Sequence, residues 1–266
     1  MSRRVPRAGR TLEGAVTETA SGYLASGRAA PPSPEGGRAL EADRALLGRT
    51  STAERVADIL RTRITEGFFP PGTRLAEDAI GAGLGVSRNT LREAFRLLTH
   101  ERLLVHELNR GVFVRLLTVA DVVDLYRVRK LVECAAIRGV DRRPDGLDRL
   151  AAAVADGEEA KARDDWRALG TANMHFHQAL TALAGSRRVD ELMAGVLAEL
   201  RLVFHVMADP RRFHEPYLAR HHAIIARLAD GDGPGAERLL AEYLDTAEAQ
   251  LVDAYARKTA TPRPTG

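Results

Sequence analysis

The feature that most constrains the fold is a series of helix starts and breaks that begins at residue 51. Ser51 and Glu54 have the spacing of a capping box, in which each side chain satisfies a free backbone N–H of the first helical turn. Gly67 and the run Pro70–Gly72 predict the end of that helix. The ordered part of the chain therefore begins with a helix that is sharply bounded on both sides.

Two further helices are predicted after this break. A short one runs from Glu77 to about residue 82, and a third begins after the turn Leu84–Val86, with Ser87 as its N-cap. At ~100° per residue, the third helix divides into an apolar face and a cationic face. The apolar face carries Leu91, Ala94, Phe95 and Leu98, and the other carries Asn89, Arg92 and Arg96. One side should pack, and the other is polar and cationic.

A β-hairpin is predicted next. The apolar runs Leu103–Val105 and Val112–Val114 flank His106–Gly111, and Asn109 and Gly111 supply the residues that a tight turn needs. Helix, helix-turn-helix and hairpin in this order predict a winged helix.

From Thr118 onward the sequence predicts helices alone, opening with a second capping spacing from Thr118 to Asp121. The helices fall near 119–140, 146–156, 164–184, 187–207, 216–230 and 235–256. Aromatic residues make up only 5% of the chain, which favours helices packed through small and aliphatic side chains. The expected fold class is mostly α, with an N-terminal winged helix-turn-helix, a small β-hairpin wing and a C-terminal all-α bundle.

The two ends of the chain are predicted to be disordered. Residues 1–50 mix Arg, Gly, Ala, Ser and Pro with scarcely any periodic apolar pattern, which is typical of a disordered basic tail. The predicted boundaries are then 51–117 for the winged helix, 118–257 for the helical domain and 258–266 for a second tail.

Charge and cysteine content narrow the class of protein further. Residues 1–117 carry 18 basic and 13 acidic side chains, whereas residues 118–266 carry 21 and 23, so the positive excess lies in the winged helix and tail. The single Cys134 cannot form an intramolecular disulfide, and no apolar run reaches the ~20 residues of a membrane span. We therefore expect a cytoplasmic protein without a membrane partner.

Several motifs together resemble one family. The stretches Gly67–Leu75, Leu84–Ala94 and Asn109–Gly111 resemble the DNA-binding domain of GntR-family repressors. The stretches Arg129–Glu133, Asn173–His177 and His221–Ile225 are similar to the FCD-type ligand-binding domain of the FadR subfamily. The resemblance covers residues 51–256 and implies a homodimeric transcription regulator, most simply a repressor, that binds a double-stranded DNA operator.

The resemblance also implies which residues contact DNA. In that family the start of the recognition helix enters the major groove and the wing reaches the minor groove, which assigns DNA contacts to Ser87, Arg88, Asn89, Thr90, Arg92, Arg96, Arg110 and Gly111. Arginine can donate two hydrogen bonds to guanine, while hydroxyls and helix N-termini hold phosphates. The alternative is that these arginines only form a solvated helix face. One departure from the family is Asp78, where its members usually carry an arginine.

The helical domain is expected to bind a small acidic effector. Helical spacing turns Asn173 and His177 toward the apolar face of their helix, and it places His221 rather than His222 among leucines and isoleucines. Metal-binding members of the family hold a divalent cation with one Asp or Asn and three His, and here Asn173, His177 and His221 would supply three ligands for zinc or nickel. The fourth position is Tyr243, whose phenol stays protonated near neutral pH. The alternative is a polar network of His177, His221 and Tyr243 that binds the effector directly.

Arg129 and Glu133 lie one helical turn apart on the inward face of the first helix of this domain. A buried arginine must be paired, so its partner is either Glu133 or a carboxylate of the effector, which a guanidinium can grip with two parallel hydrogen bonds. A metal-dependent enzyme built on His177 and His221 is the rival function. The sequence carries no glycine-rich phosphate loop, nucleophile elbow or His-Glu-x-x-His pair to support it.

Overall fold

The computed structural model describes residues 51–205, 210–214 and 216–260. The first part is a winged helix with helices α1 (Thr52–Thr65), α2 (Glu77–Leu84) and α3 (Arg88–His100). Its strands are β1 (Arg74–Leu75), β2 (Leu104–Glu107) and β3 (Gly111–Val114). The predicted tail 1–50 lies outside the described residues, as do residues 261–266 of the predicted tail 258–266, whose first three residues belong to a helix.

The helix starts of the winged helix follow the predicted caps. The Ser51 hydroxyl accepts from the Glu54 N–H, and the Glu54 carboxylate accepts from the Ser51 N–H, which completes the capping box of α1. Gly85 ends α2 in the left-handed conformation, at φ 64°. The buried face of α3 consists of Leu91, Ala94, Phe95 and Leu98, as the helical spacing predicted.

The wing is a three-stranded antiparallel sheet rather than a hairpin alone. Strand β3 lies in the centre, with Val105 of β2 opposite Phe113, and Arg74 of β1 opposite the same residue on the other side. The two-residue strand β1 was not predicted, because it is too short to show an alternating pattern. It ties the loop after α1 to the wing.

The rest of the described chain is a helical bundle, and its helices begin close to the predicted positions. They are α4 (Val119–Arg138), α5 (Leu147–Ala162), α6 (Trp166–Ala182), α7 (Arg187–Phe204), α8 (Pro210–His214), α9 (Tyr217–Ala229) and α10 (Gly233–Ala260). The short helix α8 was not predicted, α5 runs past the predicted end at 156, and α10 continues beyond 257. The mostly α fold class is confirmed.

The bundle and the winged helix share one continuous core of buried residues. At their junction the Arg115 guanidinium donates to Asp121, at the start of α4, and to Glu199 of α7 at 2.9 Å. Thr118 and Asp121 form the second predicted capping box. The start of α4 is therefore held both by this capping box and by the hydrogen bond from Arg115. Within the described ranges, no helix combines the length and apolar character needed to span a membrane.

Candidate functional site

The recognition helix α3 begins where the sequence predicted. The Ser87 hydroxyl accepts from the Thr90 N–H at 3.2 Å, and Ser87 itself has extended backbone angles. Ser87, Arg88 and Asn89 are therefore exposed at the helix N-terminus, while Thr90 is half-buried beside them. Free N–H groups and the positive end of the helix dipole favour phosphate at such a position.

The arginines of α3 are ion-paired with acidic residues within the winged helix. Arg88 Nη2 lies 3.1 Å from Asp78 Oδ1, and Arg92 Nε lies 3.1 Å from Glu77 Oε2. Both acids open α2; the Arg88–Asp78 pair is exposed, and in the other pair Arg92 is exposed while Glu77 is half-buried. Exposed ion pairs are worth about 0–1 kcal/mol, so DNA phosphates or base edges can displace them.

The wing brings one further cation to the same surface. Gly111 has φ 108°, a conformation that favours glycine, and a Cβ there would lie 3.3 Å from Arg74 Nε. Arg74, Arg88 and Arg92 line a common cleft between β1, α2 and α3. Arg74 was not predicted at this surface, because it reaches the wing tip only through strand β1, which was itself not predicted. Arg110 instead pairs with Glu107 and lies over the Phe113 ring.

The helical bundle contains a buried polar cluster centred on Glu133 of α4. Arg129 Nε donates to Glu133 Oε1 at 2.7 Å, and His177 Nδ1 of α6 lies 2.7 Å from Glu133 Oε2. All three side chains are fully buried. The expected inward positions of Arg129, Glu133 and His177 are therefore confirmed.

The cluster extends from His177 to α10. His177 Nε2 lies 2.9 Å from the Tyr243 hydroxyl, which donates to Asn173 Oδ1 at 3.1 Å. The His177 and Tyr243 rings are stacked, with centroids 5.3 Å apart. Of the predicted network of His177, His221 and Tyr243, the contact between His177 and Tyr243 is present and Asn173 joins it, whereas His221 Nε2 makes no hydrogen bond to a described residue.

Burial and neighbouring charges set the protonation of the cluster. Burial alone would raise the pKa of Glu133, but the charge of Arg129, followed by the interactions with His177, outweighs it and leaves the pKa below its usual value. Burial lowers the pKa of His177 and raises the pKa of Tyr243 to about 12. The cluster therefore holds a carboxylate, a neutral imidazole and a protonated phenol.

Two members of the cluster have polar atoms without partners. Arg129 Nη1 and Nη2, and Nε2 of His221 on α9, are buried and make no hydrogen bond to any described residue. His221 is held by its ring, which stacks on Phe176 with centroids 3.9 Å apart. His222, by contrast, is exposed and pairs with Glu158, so the choice of His221 over His222 as the inward residue is confirmed.

The donor atoms do not fit the metal site that the family resemblance implied. Both ring nitrogens of His177 are engaged, Asn173 Oδ1 accepts from a phenol, and that phenol keeps its proton. Only His221 Nε2 would be available to an ion. Over the described ranges, no group of three or more His, Cys, Asp or Glu side chains is arranged to hold a metal ion.

A winged helix with exposed arginines, joined to a helical bundle with a buried polar cluster, defines a DNA-binding transcription regulator. Comparison with known families agrees: residues 52–114 match the bacterial regulatory proteins of the gntR family, and residues 124–246 match the FCD domain. The chain belongs to the GntR family of transcription regulators and carries an FCD domain.

Individual relatives are similar to this chain over different lengths. The crystal structure of a GntR transcriptional regulator from Rhodococcus sp. RHA1 is 53% identical, with a TM-score of 0.75, and covers 77% of this chain and 100% of its own. The HTH-type transcriptional repressor RspR of Escherichia coli is 27% identical over 200 residues, 72% of this chain and 85% of its own. The gluconate operon transcriptional repressor of Bacillus subtilis is 40% identical over 87 residues, 33% of this chain and 35% of its own.

The first prediction concerns Asp78, which pairs with Arg88. Asp78→Asn removes a negative charge beside the expected phosphate path and releases Arg88. We expect binding to random-sequence duplex DNA to tighten roughly tenfold, and the salt dependence (slope of log K against log salt) to steepen by about one unit. Fluorescence anisotropy over a salt series measures both. Asp148→Asn, an equal charge change on the bundle, should have neither effect, and an unchanged salt slope in Asp78→Asn would contradict the assignment.

The second prediction concerns Tyr243. Tyr243→His replaces the phenol that occupies His177 Nε2 and Asn173 Oδ1 and completes a set of nitrogen and oxygen ligands. Metal that binds only the folded state adds stability by mass action, so zinc or nickel should raise the melting temperature of this variant and affect the wild type weakly.

Two further variants control this experiment. In the Tyr243→His background, His221→Ala should abolish the response to metal, whereas His222→Ala should keep it. Stoichiometric metal in the purified wild-type protein, measured by elemental analysis, would show that the original residues already form a metal site.

Proposed function

We propose that this regulator is a homodimeric repressor of the FadR subfamily that acts on a DNA operator in the cytoplasm. A small carboxylate bound in the helical bundle controls its operator affinity. The observation that carries the effector site is that the fully buried nitrogens Nη1 and Nη2 of Arg129 make no hydrogen bond to a described residue, although the guanidinium lies over the Tyr126 ring. Buried polar atoms nearly always have a partner, and those of a charged group cost the most when they lack one.

The chemistry of these atoms selects an anion. Glu133 uses only Nε of Arg129, so the two terminal nitrogens remain to grip a carboxylate with parallel hydrogen bonds. His221 Nε2 offers a further hydrogen bond, and the rings of Phe176 and Tyr243 contact the His221 ring. Arg129 can then bind Glu133 and the effector carboxylate at the same time. Glu133 holds the guanidinium in place through Nε, and the carboxylate accepts from the two terminal nitrogens.

DNA binding rests on the exposed start of α3 and on the wing. Ser87, Arg88, Asn89, Thr90 and Arg92, with Arg96, Arg110 and Gly111, would contact the operator, and Arg74 joins them from the wing tip. A homodimer would place two recognition helices one or more helical turns of DNA apart, on a palindromic site.

The third prediction tests the DNA surface. An operator is first selected from a pool of random duplexes, and its affinity is measured by fluorescence anisotropy. Arg88→Ala and Arg92→Ala should each cost ~1–3 kcal/mol of binding free energy and relax the base preference. Arg187→Ala, on an exposed turn of the bundle, should bind as the wild type does. If both recognition-helix variants bind the operator with wild-type affinity, this surface does not bind the operator.

The fourth prediction tests the effector site with acetate, succinate and citrate as probes. At least one acid should change the operator affinity of the wild type by about 5–150-fold, the usual range for coupling between two sites. Arg129→Lys keeps a cation beside Glu133 but loses the two-nitrogen grip, so the response should disappear.

Arg127→Lys is the matched control, since Arg127 is exposed on the same helix. It should respond to the acids as the wild type does. A full response in Arg129→Lys would show that the carboxylate binds elsewhere, and the absence of any response in the wild type would overturn the choice of effector class.

A further inference from the structure

A second buried arginine, outside the Glu133 cluster, lies at the junction of the winged helix and the bundle. Arg201 of α7 is 7% exposed and pairs with no carboxylate among the described residues. Its hydrogen bonds go to three neutral oxygens, which belong to α1 and α6. Burial, followed by the nearby charge of Arg167, lowers the pKa of Arg201 to about 10, so the side chain stays charged at neutral pH.

The acceptor on the winged helix is the backbone carbonyl of Thr65, the last residue of α1. Arg201 Nε donates to it at 3.1 Å, and His205 Nε2 lies 2.8 Å from it. The last four carbonyls of a helix lack partners within the helix, and its C-terminus attracts cations. The bundle therefore supplies the C-terminal cap of the first helix of the winged helix.

The loop after α1 is shaped to admit this cap. Gly67 has φ 81°, and a Cβ at this position would lie 2.6 Å from Cε1 of His205. Any other residue would be strained and would displace the imidazole ring. The close approach of α7 to the end of α1 thus depends on a glycine.

The other side of Arg201 is bound to α6. Nη2 donates to the Arg167 carbonyl and to the Thr171 hydroxyl, each at 3.0 Å. A Cβ on Gly170 would lie 2.4 Å from Arg201 Nη1, so the guanidinium rests directly on the α6 backbone. Helix α6 also carries Asn173 and His177, which belong to the buried cluster.

Helix α1 is in turn fastened to the recognition helix. Arg61 Nε and Nη2 donate to the two carboxylate oxygens of Glu101, each at 2.6 Å. Glu101 is the C-cap residue of α3, so a displacement of α1 would act on the end of the recognition helix. A continuous set of contacts therefore runs from the cluster, through α6, Arg201 and α1, to α3.

We propose that Arg201 is a positioning residue that clamps α1 to α6 and so transmits the state of the buried cluster to the recognition helix. The transmission rests on the function proposed for that cluster. The clamp itself is independent of any ligand and can be tested on the full-length protein alone.

Hydrogen exchange at the end of α1, read by mass spectrometry, measures the clamp. Arg201→Gln leaves the Thr65 carbonyl without its charged donor, so the amides of residues 65–68 should exchange about tenfold faster. Arg167→Gln is the matched control: it removes a charge from the same region but leaves its backbone carbonyl in place, and exchange should not change. If the amides of residues 65–68 exchange at the wild-type rate in Arg201→Gln, the proposed clamp is wrong.

If Arg201→Gln destabilises the whole protein, amide exchange will rise throughout, and Arg201→Lys then provides the test. Lysine keeps the buried charge but cannot reach α1 and α6 with separate nitrogens. The faster exchange should then be confined to the end of α1. Exchange that stays at the wild-type rate there in Arg201→Lys overturns the proposal.

A double-mutant cycle tests transmission. Tyr243→Phe removes one hydroxyl from the cluster and frees His177 Nε2 and Asn173 Oδ1. It should change exchange at residues 65–68 in the wild-type background and leave it unchanged in Arg201→Lys. No effect in either background, or an equal effect in both, overturns transmission. If transmission holds while acetate, succinate and citrate leave operator affinity unchanged, the effector proposal fails and the clamp stands.

Discussion

The packing of the bundle depends on one fully buried ion pair, Arg129 with Glu133. Removing one member of such a pair leaves an uncompensated charge in the interior and costs about 3–5 kcal/mol, so both side chains must keep their geometry. Glu133 also orients His177, and His177 meets Tyr243, so the pair fixes the relative positions of α4, α6 and α10. The same constraint explains the selectivity proposed for the site. Glu133 occupies Nε alone and holds the guanidinium plane, which leaves the terminal nitrogens for a planar anion.

The winged helix uses charge differently, because its ion pairs are exposed and exchangeable. Arg88 and Arg92 pair with Asp78 and Glu77. On the proposed DNA surface, a duplex would displace these carboxylates, and this competition would lower the affinity for any phosphate backbone. A guanine that offers two acceptors would replace the lost contact more fully, so Asp78 would favour sequence-specific over general binding. The junction of the winged helix and the bundle contains both a buried charge and a partly exposed ion pair. Arg201 is buried and caps α1, and the partly exposed Arg61–Glu101 pair joins α1 to α3.

Features set by local chemistry could be predicted from the sequence, and those set by distant contacts could not. The capping boxes at Ser51 and Thr118 and the start of α3 at Ser87 follow from spacings of three residues. Helical periodicity placed Asn173, His177 and His221 inward, because those positions share faces with leucine and isoleucine. Arg201 and Thr65, however, are 136 residues apart, and no local pattern reports their hydrogen bond. The partners of Arg88 and the approach of Arg74 to the wing were missed for the same reason, and helix α8, with 5 residues, is too short to show a helical period. The metal site implied by the family resemblance fails on one side chain, because the Tyr243 hydroxyl occupies the donors that an ion would need.

The central claim is that the buried cluster binds an organic anion directly through Arg129, without a metal ion. Native mass spectrometry of the intact protein, with and without mono-, di- and tricarboxylic acids, tests it most directly, since mass reports subunits, metal and bound acid together. We expect a dimer that carries up to one acid per chain and no stoichiometric transition metal, with the acid absent from Arg129→Lys. A dimer with one metal ion per chain, or acid that binds only when metal is present, would contradict it.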